Sequence, residues 1–111
     1  MSDVMEKIRE QINTDRVVIY MKGTRDFPMC GFSAAVVGVF KELGVPFQTF
    51  NVLADYEVRE NIKAFSNWPT IPQIYLNGEF IGGCDIVRDL HARGELGGLV
   101  QSALEAPRKL I

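Results

Sequence analysis

Arg16-Val17-Val18-Ile19-Tyr20-Met21 runs into Lys22-Gly23-Thr24-Arg25-Asp26-Phe27-Pro28-Met29, and that segment into Cys30-Gly31-Phe32-Ser33. The first stretch is β-branched and apolar, the composition of a buried strand. Gly23 and Pro28 break the second into a loop. Beyond it, Phe32, Val36, Val39, Phe40 and Leu43 share one helical face, and Gly44 ends the helix. A strand, a loop and a helix in this order set the frame for the rest of the chain.

Upstream, Asp3 and Glu6 have capping-box spacing, and Val4, Ile8 and Ile12 recur at helical intervals, so residues 3–13 are expected to be helical. Downstream, Phe47 to Val52 alternates like a strand. Val58, Ile62 and Phe65 mark a third helix, closed by Asn67 and Trp68-Pro69. Ile74–Leu76, Asn77-Gly78 and Phe80-Ile81 read as a hairpin, because Asn-Gly suits a type I′ turn. Gly82-Gly83-Cys84-Asp85 leads into a fourth helix that stops at Gly94. A last helix spans about Glu95 to Ala106, and Pro107 opens a short tail. The order α β α β α β β α α combines a parallel strand–helix–strand unit with a terminal antiparallel hairpin. It predicts an α/β domain over residues 1–106 and a tail over 107–111. The sheet is four-stranded and mixed, flanked by helices on both faces, which is a thioredoxin-like architecture.

The 111 residues fit one domain, and the net charge of −2 argues against a nucleic-acid binder. No stretch approaches the roughly 20 apolar residues of a membrane span. The start, Met1-Ser2-Asp3-Val4-Met5-Glu6, resembles neither a secretory signal nor a transit peptide, so the cytoplasm is the expected compartment. Only Cys30 and Cys84 carry thiols, and His91, the sole histidine, reads as a surface residue. One chain therefore cannot assemble a four-ligand zinc site from cysteine and histidine, and thiolate-bound metal needs a second subunit or outside ligands.

Cys30 stands at the start of a helix, where main-chain N–H groups and the helix dipole favour a thiolate, with Lys22 available to add to this. Ser33 occupies the position of a second cysteine and cannot resolve a mixed disulfide, which excludes CxxC-type exchange. Phe32 is open to two readings, core packing or a shield over the sulfur. Trp68 reads as a packing residue.

Cys30-Gly31-Phe32-Ser33 follows Lys22-Gly23-Thr24 and Pro28, and precedes Trp68-Pro69-Thr70-Ile71-Pro72-Gln73 and Gly82-Gly83-Cys84-Asp85. Over about residues 4–104 this pattern resembles the single-domain, bacterial-type monothiol glutaredoxins of the CGFS class. The resemblance implies a [2Fe-2S] cluster held between two protomers, each giving one cysteine and one bound glutathione. Cys30 would be the ligand, and two chains with two tripeptides supply the four thiolates required. By the same resemblance Lys22 and Arg59 meet the glycine carboxylate of glutathione. Arg59 is otherwise readable as a solvated helix residue. Pro72 resembles the family's cis-proline, which would present the main chain of Ile71 to the tripeptide. Cys84 and Asp85 would bind the γ-glutamyl end, Cys84 mainly through its main chain. Asp85 also suits a helix cap. Cys84 has two alternatives, a pairing with Cys30 and an all-protein Cys₄ site across two chains. Residue 25 is Arg where many members carry Pro, a departure expected to loosen the loop before Cys30.

The implied role is assembly and transfer of iron–sulfur clusters, a carrier function more than an enzymatic one. Implied partners are a BolA-like protein and cluster-accepting proteins, without nucleic acid or membrane. The rival is a glutathione-dependent monothiol oxidoreductase that deglutathionylates proteins through Cys30. Seven residues between Lys22 and Cys30, against a shorter spacing in dithiol members, count against it. A glutathione-sensing module without a cluster is the third reading.

Overall fold

Val17–Met21 forms β1, and all five of its residues are buried because helices cover it from both sides. The computed structural model describes residues 3–111; Met1 and Ser2, part of the N-terminal stretch read above, lie outside them. Val17, Ile19 and Met21 face one helical layer, and Val18 and Tyr20 face the other, as the period of two along a strand requires. The first layer holds α2 (Gly31–Leu43), α4 (Cys84–Ala92) and α5 (Leu96–Glu105), packed through Val36, Phe40, Val87 and Leu96. The second holds α1 (Val4–Ile12) and α3 (Tyr56–Ser66), packed through Ile8, Ile12, Val58 and Ile62.

The remaining strands are β2 (Gln48–Asn51), β3 (Gln73–Leu76) and β4 (Glu79–Gly82), in the spatial order β2-β1-β3-β4. β1 pairs parallel with β2 and antiparallel with β3, and Ile19 lies opposite both Thr49 and Ile74. Asn77 (φ 48°) and Gly78 (φ 83°) make the tight turn between β3 and β4. This is the four-stranded mixed sheet, with helices on both faces, that the strand and helix order implies. The parallel β1–β2 pair and the turn into α2 bring the loop after β1 and the start of α2 to the same end of the sheet.

Three local expectations change. β2 stops at Asn51, and Val52–Ala54 forms a 3-10 turn, because the Asn51 side chain accepts the Leu53 N–H at 3.0 Å and ends the ladder. Asp3 caps α1, but Glu6 pairs with Arg9 at 2.9 Å instead of reaching back to complete a capping box. Gly83, not Asp85, is the N-cap of α4; Asp85 is exposed in the first turn and makes no capping hydrogen bond. There its charge still complements the positive end of the helix.

The segment after Pro107 folds back onto the domain. Asn77 donates to the Pro107 carbonyl at 2.9 Å and accepts from the Lys109 N–H at 2.9 Å. Asn13 holds both the N–H and the carbonyl of Ile111. A Cβ at Gly78 would lie 2.5 Å from the Lys109 carbonyl oxygen, so this turn needs glycine for closeness as well as for its positive φ.

Candidate functional site

β1 ends at Met21, and the next peptide groups are gripped from several sides. The Ser33 hydroxyl accepts the Lys22 N–H at 3.1 Å, and Asn51 accepts the Gly23 N–H at 2.9 Å. The Met29 N–H returns to the Lys22 carbonyl at 2.9 Å, and Thr24 and Phe27 exchange main-chain hydrogen bonds at 3.1 Å. Gly23 has φ +92°, and a Cβ there would lie 2.5 Å from both Met29 N and the Phe27 carbonyl oxygen. Arg25 does not loosen this loop. Its guanidinium sits 4.0 Å from the Phe47 ring centroid and donates to the Phe47 carbonyl at 3.3 Å. Lys41 donates to the Arg25 carbonyl at 3.3 Å. A stacked, hydrogen-bonded arginine replaces the conformational restriction that a proline would give.

The loop delivers Cys30 to the N-cap of α2 in an extended conformation. Its sulfur makes no close capping hydrogen bond. The Ser33 N–H still acts on it most strongly, followed by the Phe32 N–H, the Ser33 hydroxyl and the Lys22 charge, and together they hold the thiol pKa below its ordinary value. Partial burial opposes them and is outweighed. The sequence-level expectation of a thiolate-favouring helix start is met, with main-chain N–H groups ahead of Lys22. Phe32 is 60 % exposed, which rules out the core reading.

Cys30 opens into a cleft of about 470 Å³, within the usual range for small-molecule sites. Lys22, Cys30, Arg59, Ile71, Cys84 and Asp85, which come from five separate stretches of chain, all line it. The Ile71–Pro72 peptide bond is cis, and both residues contribute to the wall. Two further lining residues, Lys63 and Thr70, escaped the sequence reading. Lys63 follows Arg59 by one helical turn on α3, so the i,i+4 spacing was the signal that could have found it. Lys22, Arg59 and Lys63 form no salt bridge among the described residues. Three free cations against the single carboxylate of Asp85 make the cleft complementary to a ligand with excess negative charge and one amine.

Cys84 is 8 % exposed at the first position of α4, and burial pushes its thiol pKa up. Both thiols are free. A Cβ on Gly83 would lie 3.1 Å from the Pro72 carbonyl oxygen and from the Trp68 indole nitrogen, so glycine lets the cleft floor close against Trp68. Trp68 packs on Phe80 at 5.7 Å between centroids and also lines the cleft. Gln73, fully buried, donates to the Trp68 and Thr70 carbonyls at 3.0 and 3.3 Å and fixes this wall. His91 lies apart, 3.4 Å from Glu42 across the α2–α4 contact. Among the described residues no three His, Cys, Asp or Glu side chains cluster at a metal-sized position.

The glutaredoxin family model matches residues 17–81, from β1 through the hairpin. The chain belongs to the glutaredoxin family. A protein of Synechocystis described as an uncharacterized monothiol glutaredoxin ycf64-like is 50% identical over 98 residues, covering 88% of this chain and 92% of its own. The chloroplastic monothiol glutaredoxin-S14 of Arabidopsis thaliana is 49% identical over 104 residues. This chain spans 94% of itself in that alignment but 58% of the Arabidopsis protein's length. The solution structure of reduced poplar apo GrxS14 superposes with a TM-score of 0.82 at 42% identity, covering 93% of this chain and 94% of the other. With Ser33 in place of a second cysteine, this glutaredoxin is a monothiol member, as its CGFS motif implied.

Proposed function

We propose that this glutaredoxin binds glutathione in the cleft and, with Cys30, carries a [2Fe-2S] cluster as cargo between two copies of the chain. The observation that carries the reading is the placement of one thiolate-favoured cysteine at the mouth of a cleft with three unpaired cations. Position 33 bears a hydroxyl, and Cys84 is buried with a raised pKa, so each chain offers one ligating thiol. A tripeptide with two carboxylates, an amine and a thiol matches the charge of that cleft. Lys22 and Arg59 are assigned to its glycine carboxylate, Arg59 in bidentate fashion. The Ile71 main chain is assigned to its peptide backbone. Cys84, through its main chain, and Asp85 are assigned to the γ-glutamyl end, with the Asp85 carboxylate on the amine.

Glutathione supplies a second thiolate per protomer, so two protomers complete four ligands. Half the ligand set then belongs to a dissociable small molecule, which suits release to an acceptor protein. Transfer to cluster-accepting proteins, pairing with a BolA-like protein and residence in the cytoplasm belong to the same proposal. The Arabidopsis relative is named for the chloroplast, so the compartment is a property to be measured for this chain.

Anaerobic reconstitution with iron, sulfide and glutathione tests the reading by visible absorption, iron and sulfide analysis and size exclusion. A coloured dimer is expected, lost in Cys30→Ser and kept in Cys84→Ser. A colourless monomer that reduces glutathionylated proteins with turnover would replace the carrier with the oxidoreductase.

A further inference from the structure

Asn77 is buried at the turn between β3 and β4, at the other end of the hairpin from the cleft. Both ends of its side-chain amide are used on main chain. It donates to the Pro107 carbonyl and accepts the Lys109 N–H, each at 2.9 Å. Asn13 treats Ile111 in the same way, donating to its carbonyl at 3.0 Å and accepting its N–H at 2.9 Å. Such a reciprocal exchange is what one residue makes with another in an antiparallel ladder. Residues 107, 109 and 111 alternate, so the two asparagines read one edge of an extended segment. Gly78 lets that segment come close, because a Cβ there would lie 2.5 Å from the Lys109 carbonyl oxygen. Of the segment's side chains only Arg108 makes a hydrogen bond, to the Asn13 carbonyl at 2.6 Å, and Leu110 and Ile111 stay exposed.

Beside the two asparagines lies a hollow of about 240 Å³, which Asn77 lines together with Leu76, Ile81, Leu99, Ala103 and Lys109. Leu99 is exposed, and residues 107–111 bring no apolar side chain to this wall. We infer that Asn13, Asn77 and the hollow form a second binding site, for an extended segment of a partner protein with an apolar side chain at the position of Lys109. Residues 107–111 occupy its main-chain half in cis. Hydrogen bonds of this kind contribute little net once the ordering of five residues is counted, so the tail is held loosely enough to be displaced. A partner segment that keeps the same main-chain bonds and also fills the hollow adds the apolar burial that the tail lacks. Main-chain bonds then give affinity and the hollow gives specificity, as in other sites that read extended peptides. Proline is excluded at the positions of Lys109 and Ile111, where an N–H is required. The site shares no lining residue with the cleft, so it stands apart from the proposed function.

The test uses the full chain carrying Lys109→Pro and Ile111→Pro, which removes the two tail N–H groups and frees the site. A synthetic hexapeptide, Ala-Pro-Arg-Leu-Leu-Ile, is expected to shift the Asn13 and Asn77 side-chain amide resonances saturably. N-methylation of its fourth residue should weaken binding at least about tenfold, and lysine in that place about three- to tenfold. No saturable shift, or an N-methylated or lysine peptide that binds as well, overturns the proposal. In the unaltered protein the Lys109 and Ile111 amides should exchange hydrogen more slowly than those of Arg108 and Leu110. Equal exchange at all four overturns the proposal even if the double variant does not fold. A concentration-dependent dimer of the unaltered protein, with those two amides protected only in the dimer, would assign the site to exchanged tails of two copies and overturn it as well.

Discussion

Cys30 and Cys84 both sit at the start of a helix and both line the same cleft, yet their thiols are driven in opposite directions. Cys30 is an N-cap delivered by a loop, half-buried, with the Ser33 and Phe32 N–H groups and Lys22 acting on it. Cys84 is one residue further into its helix, behind Gly83, and its burial outweighs the help of Arg88. A helix N-terminus favours an anion only where the sulfur is not also stripped of water. Position along the helix and access to solvent decide which cysteine works. A glance at the two motifs would rank them alike.

The largest expected effect is selectivity. A limiting dose of iodoacetamide at pH 7 should label Cys30 in at least about tenfold excess over Cys84. Equal labelling, read by peptide mass spectrometry, would break the comparison. Next comes the cationic wall that serves Cys30. Arg59→Ala should weaken glutathione binding about ten- to a hundredfold by calorimetry, since a charge-assisted pair is lost. An unchanged affinity would return Arg59 to the solvated-helix reading. The loop that delivers Cys30 depends on Gly23. Gly23→Ala should lower stability by about 1–3 kcal/mol in urea unfolding, because φ +92° and two contacts at 2.5 Å leave no room for a methyl group.

Smaller effects separate the two thiols by the sign of their pH dependence. The Cys30 pKa lies below the ordinary thiol value of 9.0. Its contribution to stability is therefore full above the unfolded pKa near 9 and is lost as pH falls through the lowered folded value. The Cys84 pKa is raised from 9.0. Its contribution is full below the unfolded pKa and is lost as pH rises through the folded value. The gap in urea midpoint between wild type and Cys30→Ser should widen as pH climbs toward 9, and that for Cys84→Ser should shrink above it. Gaps that ran in parallel would contradict the assignment. The smallest effect is at the loop's flank, where Arg25→Ala should cost about 0.5–1 kcal/mol through the lost contact with Phe47.

Much of this was legible in the sequence because it is written in apolar periodicity. Val17–Met21 is buried on both faces and reads as a continuous apolar run, and the helices that cover it show their inward stripes. The cleft residues were legible through the resemblance, since Lys22, Arg59, Ile71, Cys84 and Asp85 lie far apart in sequence. What escaped is written in hydrogen bonds between side chains and distant main-chain groups, which leave no periodic trace. Asn51 looks like the end of an alternating strand, but it bridges Gly23 and Leu53. Arg25 reads as a departure that loosens the loop, and only the placement of Phe47 turns it into an anchor. Asp85 reads as a cap from composition, whereas Gly83 takes that place because α4 begins at Cys84, two residues earlier than a cap at Asp85 would allow.

The most direct test of the central claim is native mass spectrometry of the anaerobically reconstituted wild-type protein, counting chains, iron, sulfide and glutathione in one species. The account predicts two chains, one [2Fe-2S] cluster and two glutathiones, with loss of glutathione and of the cluster linked. A dimer that holds its cluster with no glutathione would contradict it, because Cys84 would then have to supply the missing thiolates.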